Sequence, residues 1–429
     1  MRRLTRPKSY YTASAPAVED RAELETSVDC EVCVVGGGLA GLSASLHLRE
    51  SGYDVVLLEE HRIAWGASGR SGGQAIYGIA GDYLELERLI GPGDARVVWD
   101  VSIEGLALMK DLVRRYRIDC DWADGYLLTA IKERHARELR TEIEALQTKL
   151  GYSSARYVPH EELGSLLGTK RYVAGLYDSN SGHFHPLNYT LGLAAAAEHS
   201  GVRIFEGTRA LGFRETGTVA GAVRVRTPRG EVRTRHLVLC GNVYLRKTAP
   251  SIASKIMAIG SHIVATEPLG KERARSLIAN NAAVCDMNRV LDYFRCSADY
   301  RLLFGGRVGS APGSSEATQA TRKRMLRVFP QLADVRIEYG WGGQVDVTLN
   351  RAPHFGRLAS NIYFLQGFSG QGIALTGIAG KLIALAIAGT AERFDVFARI
   401  PHRDFPGGRA LRKPILALAM LYYKLRDLL

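Results

Sequence analysis

A glycine-rich turn between a predicted strand and a predicted helix constrains the fold of this chain most strongly. The pattern predicts a strand over Glu31–Val35, a turn at Gly36-Gly37-Gly38-Leu39-Ala40-Gly41, a helix over Leu39–Ser51 and a second strand over Asp54–Leu58. The turn matches the G-x-G-x-x-G pattern of a dinucleotide-binding βαβ unit. The sequence therefore predicts a parallel, doubly wound sheet that begins near residue 28.

Each glycine of this turn has a distinct physical task. Gly36 permits the tight turn, Gly38 lets the backbone approach a pyrophosphate, and Gly41 lets the helix pack closely on the strand. The N–H groups at Leu39 and Ala40 begin the helix, where the positive end of the helix dipole favours phosphate. The alternative is a glycine-rich turn that binds no nucleotide.

A carboxylate at the end of the second strand supports the nucleotide-binding interpretation. Glu59 closes that strand 21 residues after Gly38, where it can accept hydrogen bonds from ribose hydroxyls. Its neighbour Glu60 and the more distant Ala210 complete the residues predicted at this end of the cofactor.

Two further glycine-rich stretches favour FAD over NAD. The first follows the second strand, and small residues there let the backbone lie against an extended cofactor. The second joins the strand Ile362–Leu365 to an apolar helix, whose N-terminus would stabilise negative charge on a flavin. The predicted contacts are Ser68, Gly69, Arg70, Gly73 and Gln74 in the first stretch and Gly367, Phe368, Ser369, Gly370, Gln371 and Gly372 in the second.

Composition excludes several classes of protein. Of 429 residues, 46% are hydrophobic and 23% are charged, which excludes disordered and collagen-like chains. The net charge of +12 is spread along the chain, so we favour a solvated surface and expect no nucleic-acid partner; binding of a polyanion is the alternative. Cys30 and Cys33 lie in a predicted strand and point to opposite faces, which favours buried thiols over a redox pair. Cysteine usage fits the cytoplasm.

No segment is predicted to span a membrane, and no metal site is predicted. Gly372–Gly389 is apolar but carries Lys381, so a buried core helix is favoured over a span. Arg409–Leu429 has apolar residues at helical spacing and is expected to pack on the body or a partner, with membrane contact as the alternative. His183 and His185 have no further metal ligands nearby in the sequence, which favours a packing role.

The predicted fold class is α/β, with a doubly wound, Rossmann-like FAD-binding domain interleaved with an α+β substrate domain. The FAD-binding domain is predicted from residues 28–110, 183–248 and 354–390, and the substrate domain from 111–182 and 249–353. A polar N-terminal arm over 1–27 and a helical C-terminal tail over 391–429 complete the chain.

Over nearly its whole length the chain resembles the D-amino-acid oxidase/sarcosine oxidase superfamily, most closely its gamma-glutamylputrescine oxidase branch. The resemblance implies oxidation of an amine to an imine, which hydrolyses to a carbonyl compound. The stretches that carry it are Ser9–Tyr11, Val34–Leu42, Trp65–Gln74, Gly182–Asn188, Ala265–Leu269, Asp292–Arg295, Leu302–Arg307, Trp341–Phe355 and Gly367–Leu375.

The resemblance also implies that FAD is bound without a covalent link. Some relatives attach FAD through a cysteine, where this chain has Asp346-Val347-Thr348-Leu349. Others use a histidine, where this chain has Arg70-Ser71-Gly72.

Three residues are predicted at the substrate. Where glycine oxidases place an arginine for the substrate carboxylate, this chain has Gln344-Val345-Asp346, so an amine is favoured and Asp346 is expected to steer its ammonium group. Tyr293 matches a tyrosine that lines the pocket of sarcosine-type relatives, and Arg307 is expected to meet the acidic far end of the substrate. The alternatives are a turn carboxylate, a core tyrosine and a solvated arginine.

The electron acceptor is expected to be molecular oxygen or another carrier. Sarcosine-type oxidases place a lysine by the flavin, but the matching run Arg301–Arg307 contains none. An FAD dehydrogenase that reduces a quinone or a protein carrier is therefore the alternative enzyme. A flavin-bound subunit without catalytic activity is the alternative from another class.

Overall fold

The computed structural model describes residues 5–216, 222–246, 248–307, 311–406 and five residues of the C-terminal tail (414, 415, 417, 418 and 422). Its strands are β1 Val28–Val35, β2 Val55–Leu58, β3 Gln74–Ala75, β4 Ala123–Ala130, β5 Ala155–Val158, β6 Ala174–His183, β7 Arg203–Phe205, β8 Gly212–Thr216, β9 Ala222–Arg226, β10 Glu231–Leu239, β11 Met257–Thr266, β12 Ala283–Asp286, β13 Asp292–Cys296, β14 Leu302–Arg307, β15 Ile337–Val347, β16 His354–Ala359 and β17 Ile362–Gln366. Its helices are α1 Tyr10–Ser14, α2 Leu39–Glu50, α3 Tyr83–Ile90, α4 Pro92–Arg115, α5 Glu133–Thr148, α6 His160–Leu166, α7 Pro186–His199, α8 Pro250–Ala253, α9 Lys271–Leu277, α10 Ser315–Val328, α11 Ile373–Ile387 and α12 Glu392–Ala398.

The first sheet is the parallel sheet that the glycine turn predicts. Its strands run in the order β16-β17-β10-β1-β2-β7, and β9 and β8 extend it from β10. β1 pairs in parallel with both β10 and β2. All four residues of β2 are buried, as expected for a strand covered on both faces. Helix α2 packs against β1 and β2 of this sheet, and α7 and α11 pack against α2.

The second sheet has nine strands among the described residues and is largely antiparallel. Its order is β15-β11-β14-β13-β12-β4-β6-β3, with β5 paired to β6. Among its described strand pairs, β12 and β4 are the one pair that runs in parallel. Gln74 and Ala75 of β3 pair with His183 and Gly182 of β6, so the stretch after β2 is tied to the second sheet. The α/β fold class, with two interleaved sheets, is confirmed, whereas the exact domain boundaries stay predictions.

The N-terminal arm differs from the polar segment that the sequence predicts. Ser9 caps the short helix α1, and both Tyr10 and Tyr11 are buried. The Tyr10 hydroxyl donates to Asp299 at 2.7 Å. Two aromatic side chains bury enough apolar surface to hold this arm on the body despite its polar composition.

Three further predictions concern the cysteines of β1, the C-terminal repeat and membrane-spanning segments. Cys30 and Cys33 are free thiols in β1. The helical repeat predicted over 409–429 falls mostly outside the described residues. Among the described helices, none alone has the length and apolarity to cross a membrane; α11 and α12 reach both only as a pair bent by 117°.

Candidate active site

One elongated cavity lies between the two sheets, at the carboxyl ends of β1, β2 and β10, and its volume is about 420 Å³. This is where open parallel sheets bind nucleotides. Most of the predicted cofactor contacts line it: Gly36, Gly38, Leu39, Ala40, Glu59, Glu60, Ser68, Arg70, Gln74, Ala210, Phe368, Ser369, Gly370, Gln371 and Gly372. The other four, Gly41, Gly69, Gly73 and Gly367, pack close behind its wall.

The turn between β1 and α2 leaves room where a phosphate would lie. Gly36 has a φ of +117°, which favours glycine. A side chain at Gly41 would overlap the Gly36 carbonyl oxygen, so this glycine permits the close packing of helix on turn. A side chain at Gly38 would meet only the Ser68 hydroxyl, 2.8 Å away, and would otherwise point into the cavity. The Leu39 N–H donates to that hydroxyl at 3.0 Å.

Glu59 is held in place at the end of β2. Its carboxylate accepts hydrogen bonds from the N–H groups of Gly37 at 2.7 Å and His61 at 2.8 Å. Burial raises the pKa of Glu59 to about 7, and these two hydrogen bonds oppose the shift. The side chain lines the cavity with lone pairs still available for hydroxyl donors.

A second helix N-terminus faces the same cavity. The loop before α11 has positive φ at Gly367 (+79°), Ser369 (+56°) and Gly370 (+92°). The Gln371 side-chain amide donates to the Tyr77 carbonyl at 2.5 Å and so fixes the loop to the segment after β3. The first residues of α11 line the cavity, and its positive dipole end is available to an anion.

The placement of Asp346 changes our expectation for this residue. Its carboxylate accepts hydrogen bonds from the N–H groups of Gly367 and Phe368, and its side chain is buried. Burial also raises its pKa. A carboxylate held in this way supports the loop before α11, so we no longer assign it the task of steering an ammonium group.

Tyr293 lies at the far end of the cavity, in a chamber that the second sheet contributes. Its hydroxyl lies 3.0 Å from the Ser261 hydroxyl, and burial raises its pKa. Gly72 and Gly305 both approach its ring so closely that a side chain at either would collide with it. Tyr126, Ile263 and Cys285 of the second sheet also line the cavity, as does Leu291, which directly precedes β13.

The remaining predicted residues are placed as follows. Arg307 ends β14 with its backbone paired to Ser261, and its side chain lies outside what the structure describes. His183 and His185 are buried, which lowers their pKa to about 3 and about 4. Within the described ranges, no group of three or more His, Cys, Asp or Glu side chains is arranged to hold a metal ion.

Sequence reasoning missed one whole wall of the cavity. The segment Cys240–Leu245 follows β10, the neighbour of β1 in the parallel sheet, and all six of its residues line the cavity. The rule that ligands bind beyond the carboxyl ends of such strands could have found it. Trp65, Arg209 and Trp341 also line the cavity and were not predicted as contacts, although Trp65 and Trp341 begin two of the stretches that carry the resemblance.

The residues fit an FAD molecule. Two helix N-termini, those of α2 and α11, face one cavity, and Gly38 leaves open the space that a pyrophosphate requires. Glu59 lies at one end, where a ribose would bind, and the chamber around Tyr293 lies at the other.

Comparisons with known proteins agree with this site. Residues 31–386 match the family model described as DAO, FAD dependent oxidoreductase. The chain is 40% identical over 423 residues to gamma-glutamylputrescine oxidoreductase of Escherichia coli, covering 98% of both chains. It is 41% identical over 424 residues to a probable oxidoreductase, OrdL, of Haemophilus influenzae, covering 98% of this chain and 97% of the relative.

Solved structures show the same fold. Glycine oxidase from Bacillus cereus superposes with a TM-score of 0.70 at 21% identity, over 87% of this chain and 99% of that structure. L-amino acid deaminase from Proteus vulgaris superposes with a TM-score of 0.71 at 18% identity, over 89% of this chain and 99% of that structure. Because the family model matches most of the chain and the relatives match nearly all of it, the chain is a FAD-dependent oxidoreductase of the DAO family that acts on amine groups.

Proposed function

We propose that this protein oxidises an amine whose carboxylate is remote from the reacting carbon, with a gamma-glutamylputrescine-like molecule as substrate. The product is an imine, which water converts to an aldehyde and ammonia. The relative from Escherichia coli, named for gamma-glutamylputrescine, supports this substrate class because the chain matches it from end to end.

The observation that carries the proposal is the chemistry of the cavity wall that β15 contributes. Gln344, Val345 and Asp346 line the cavity where an arginine clamp for an alpha-carboxylate was expected, and none of them is a cation. The carboxylate of an alpha-amino acid therefore finds no cationic side chain to bind at this position. An amine without an adjacent carboxylate does not need one.

Bound FAD would supply the electron acceptor for oxidation of the carbon next to the amine nitrogen. The chain's own residues prepare the amine for that step. The apolar side chains of Ile263 and Leu291 line the cavity and disfavour the charged ammonium form. The Tyr293 and Ser261 hydroxyl oxygens can accept the amine N–H groups, which leaves the nitrogen lone pair free to assist cleavage of the C–H bond.

An acceptor other than oxygen is the second candidate for completing the cycle. Among the described residues that line the cavity, none is a lysine. A nearby lysine is the group that the resemblance associates with reaction with oxygen, so a quinone or protein carrier is the alternative acceptor.

Product analysis tests the proposal. Purified protein is incubated in air with gamma-glutamylputrescine, putrescine, glycine and D-alanine, and ammonia, aldehyde and hydrogen peroxide are measured. We expect ammonia and aldehyde in equal amounts from gamma-glutamylputrescine. Equal hydrogen peroxide identifies an oxidase, and product that appears only with an added quinone identifies a dehydrogenase. Faster ammonia release from glycine or D-alanine would overturn the proposed substrate class.

A further inference from the structure

Arg295 is a buried arginine that lies directly behind the wall of the chamber. It stands two residues after Tyr293 on β13, so both side chains project from the same face of the strand. Tyr293 lines the cavity, whereas Arg295 is only 3% exposed. Its guanidinium extends beneath the turn formed by Ser71, Gly72 and Gly73.

The guanidinium fixes that turn through backbone atoms. Its Nε donates to the Gly72 carbonyl at 2.7 Å, and one terminal nitrogen donates to the Phe184 carbonyl at 2.8 Å. A side chain at Gly73 would overlap the same Phe184 carbonyl, so the turn and the arginine are packed against one another. Ser71 and Gly72 themselves line the cavity, which places Arg295 one layer behind the surface that faces the cofactor.

Among the described residues, no carboxylate forms a hydrogen bond or ion pair with Arg295, and Asp121 interacts with its charge only from farther away. Its described hydrogen bonds go to the Gly72, Phe184 and Cys296 carbonyls, the Tyr11 hydroxyl and the Nδ1 of His183. All of these acceptors are neutral, and burial together with Arg295 lowers the pKa of His183 to about 3. A buried cation without a counter-ion in contact lowers the stability of the fold, and its charge attracts negative charge that enters the cavity.

We propose that Arg295 is a positioning residue that holds the Ser71–Gly73 turn against Tyr293, and that its buried charge raises the reduction potential of the bound FAD. Reduction adds negative charge inside the cavity, and a nearby cation in a dry environment stabilises that charge. The proposal rests on FAD binding, and it does not depend on which amine is oxidised.

The midpoint potential of the purified holoenzyme tests this, because it is measured by dye-coupled reductive titration without any amine. We expect Arg295→Gln to lower the equilibrium constant for FAD reduction by about tenfold or more, and Arg295→Lys to lower it less at low pH than at high pH, because a lysine buried here loses its charge as the pH rises. The control is Arg273→Gln, which removes an exposed arginine paired with Asp334 and should leave the potential unchanged.

A second measurement follows the reduction potential of Arg295→Lys against pH. It can be made even when Arg295→Gln fails to retain FAD. Burial depresses the pKa of a lysine, whereas arginine stays charged, so the potential of Arg295→Lys should fall more steeply with rising pH than that of the wild type. The facing titratable and charged groups are Tyr11, His183 and Cys296 in contact, with His185, Asp121 and Arg275 farther away. The histidines are neutral throughout, and burial raises the pKa of Tyr11 and raises that of Cys296 to about 11. An Arg295→Gln holoenzyme with wild-type potential, or an Arg295→Lys profile parallel to the wild type, would overturn the proposal.

Discussion

Gly38 and Gly41 stand three residues apart in one turn, but a side chain at each would meet different neighbours. At Gly38 it would touch the flexible Ser68 hydroxyl and otherwise enter the space assigned to the pyrophosphate. At Gly41 it would strike the backbone of Gly36. The first glycine therefore serves the ligand, and the second serves the fold.

The matched pair Gly38→Ala and Gly41→Ala separates these two tasks. We expect Gly38→Ala to fold with near wild-type stability as the apoprotein but to retain little FAD. Gly41→Ala should lower the free energy of unfolding of the apoprotein by roughly 1–3 kcal/mol, the usual cost of overpacking. Thermal unfolding and the flavin-to-protein absorbance ratio measure both effects. Full flavin content in Gly38→Ala would remove this glycine from the cofactor site.

Glu59 makes FAD binding depend on pH. Burial raises its pKa to about 7, so the carboxyl is partly protonated in the neutral apoprotein. Ribose hydroxyls favour the ionised form, so FAD affinity should rise with pH through 7 by at most about tenfold per pH unit and then level off. Glu59→Gln should bind FAD more weakly and show no such rise. Titration of the apoprotein with FAD from pH 5.5 or so to about 8.5 measures this, and an identical pH profile in the variant would contradict it.

Among the elements, α11 and the loop before it depend on a residue from another sheet. Asp346 of β15 supplies the carboxylate that accepts two N–H groups of this loop, at Gly367 and Phe368. The loop lines the cavity, so its conformation should be linked to FAD binding.

Asp346→Asn tests whether this carboxylate serves the loop or the substrate. The amide keeps one acceptor oxygen but loses the charge, so the loop should be weakened by about 1–3 kcal/mol, as for a charged hydrogen bond. We expect weaker FAD binding, while the KM for the amine at saturating FAD changes little. Unchanged FAD affinity together with a raised amine KM would instead restore the ammonium-steering role.

Elements with a strong local sequence pattern could be predicted from the sequence, whereas elements with a weak pattern could not. The sequence predicts helices over Asp94–Tyr116, Glu133–Leu150 and His185–Ser200, and α4, α5 and α7 lie within two residues of these bounds. The sequence predicts a strand only over Val335–Tyr339, although β15 extends through Val347. Its remainder is rich in glycine and polar residues, and only pairing with β11 makes it a strand.

At the scale of the whole molecule, the site forms where two sheets meet, which explains what the sequence could and could not predict. The glycine turn, Glu59 and the loop before α11 carry local signals, and the structure brings them to one cavity. Arg295 and Ser261 carry none, since their importance comes from contacts with residues far away in the chain. The hydrogen-bond partners of Asp346 likewise could not be predicted, because Gly367 and Phe368 lie 21 and 22 residues downstream.

The central claim is that this protein takes electrons from an amine that lacks an adjacent carboxylate. Anaerobic mixing of the holoenzyme with gamma-glutamylputrescine or D-alanine tests it directly, because loss of the flavin absorbance reports reduction before any acceptor is involved. We predict rapid and complete bleaching by gamma-glutamylputrescine and slow or no bleaching by D-alanine. Rapid bleaching by D-alanine, with none by gamma-glutamylputrescine, would contradict the account.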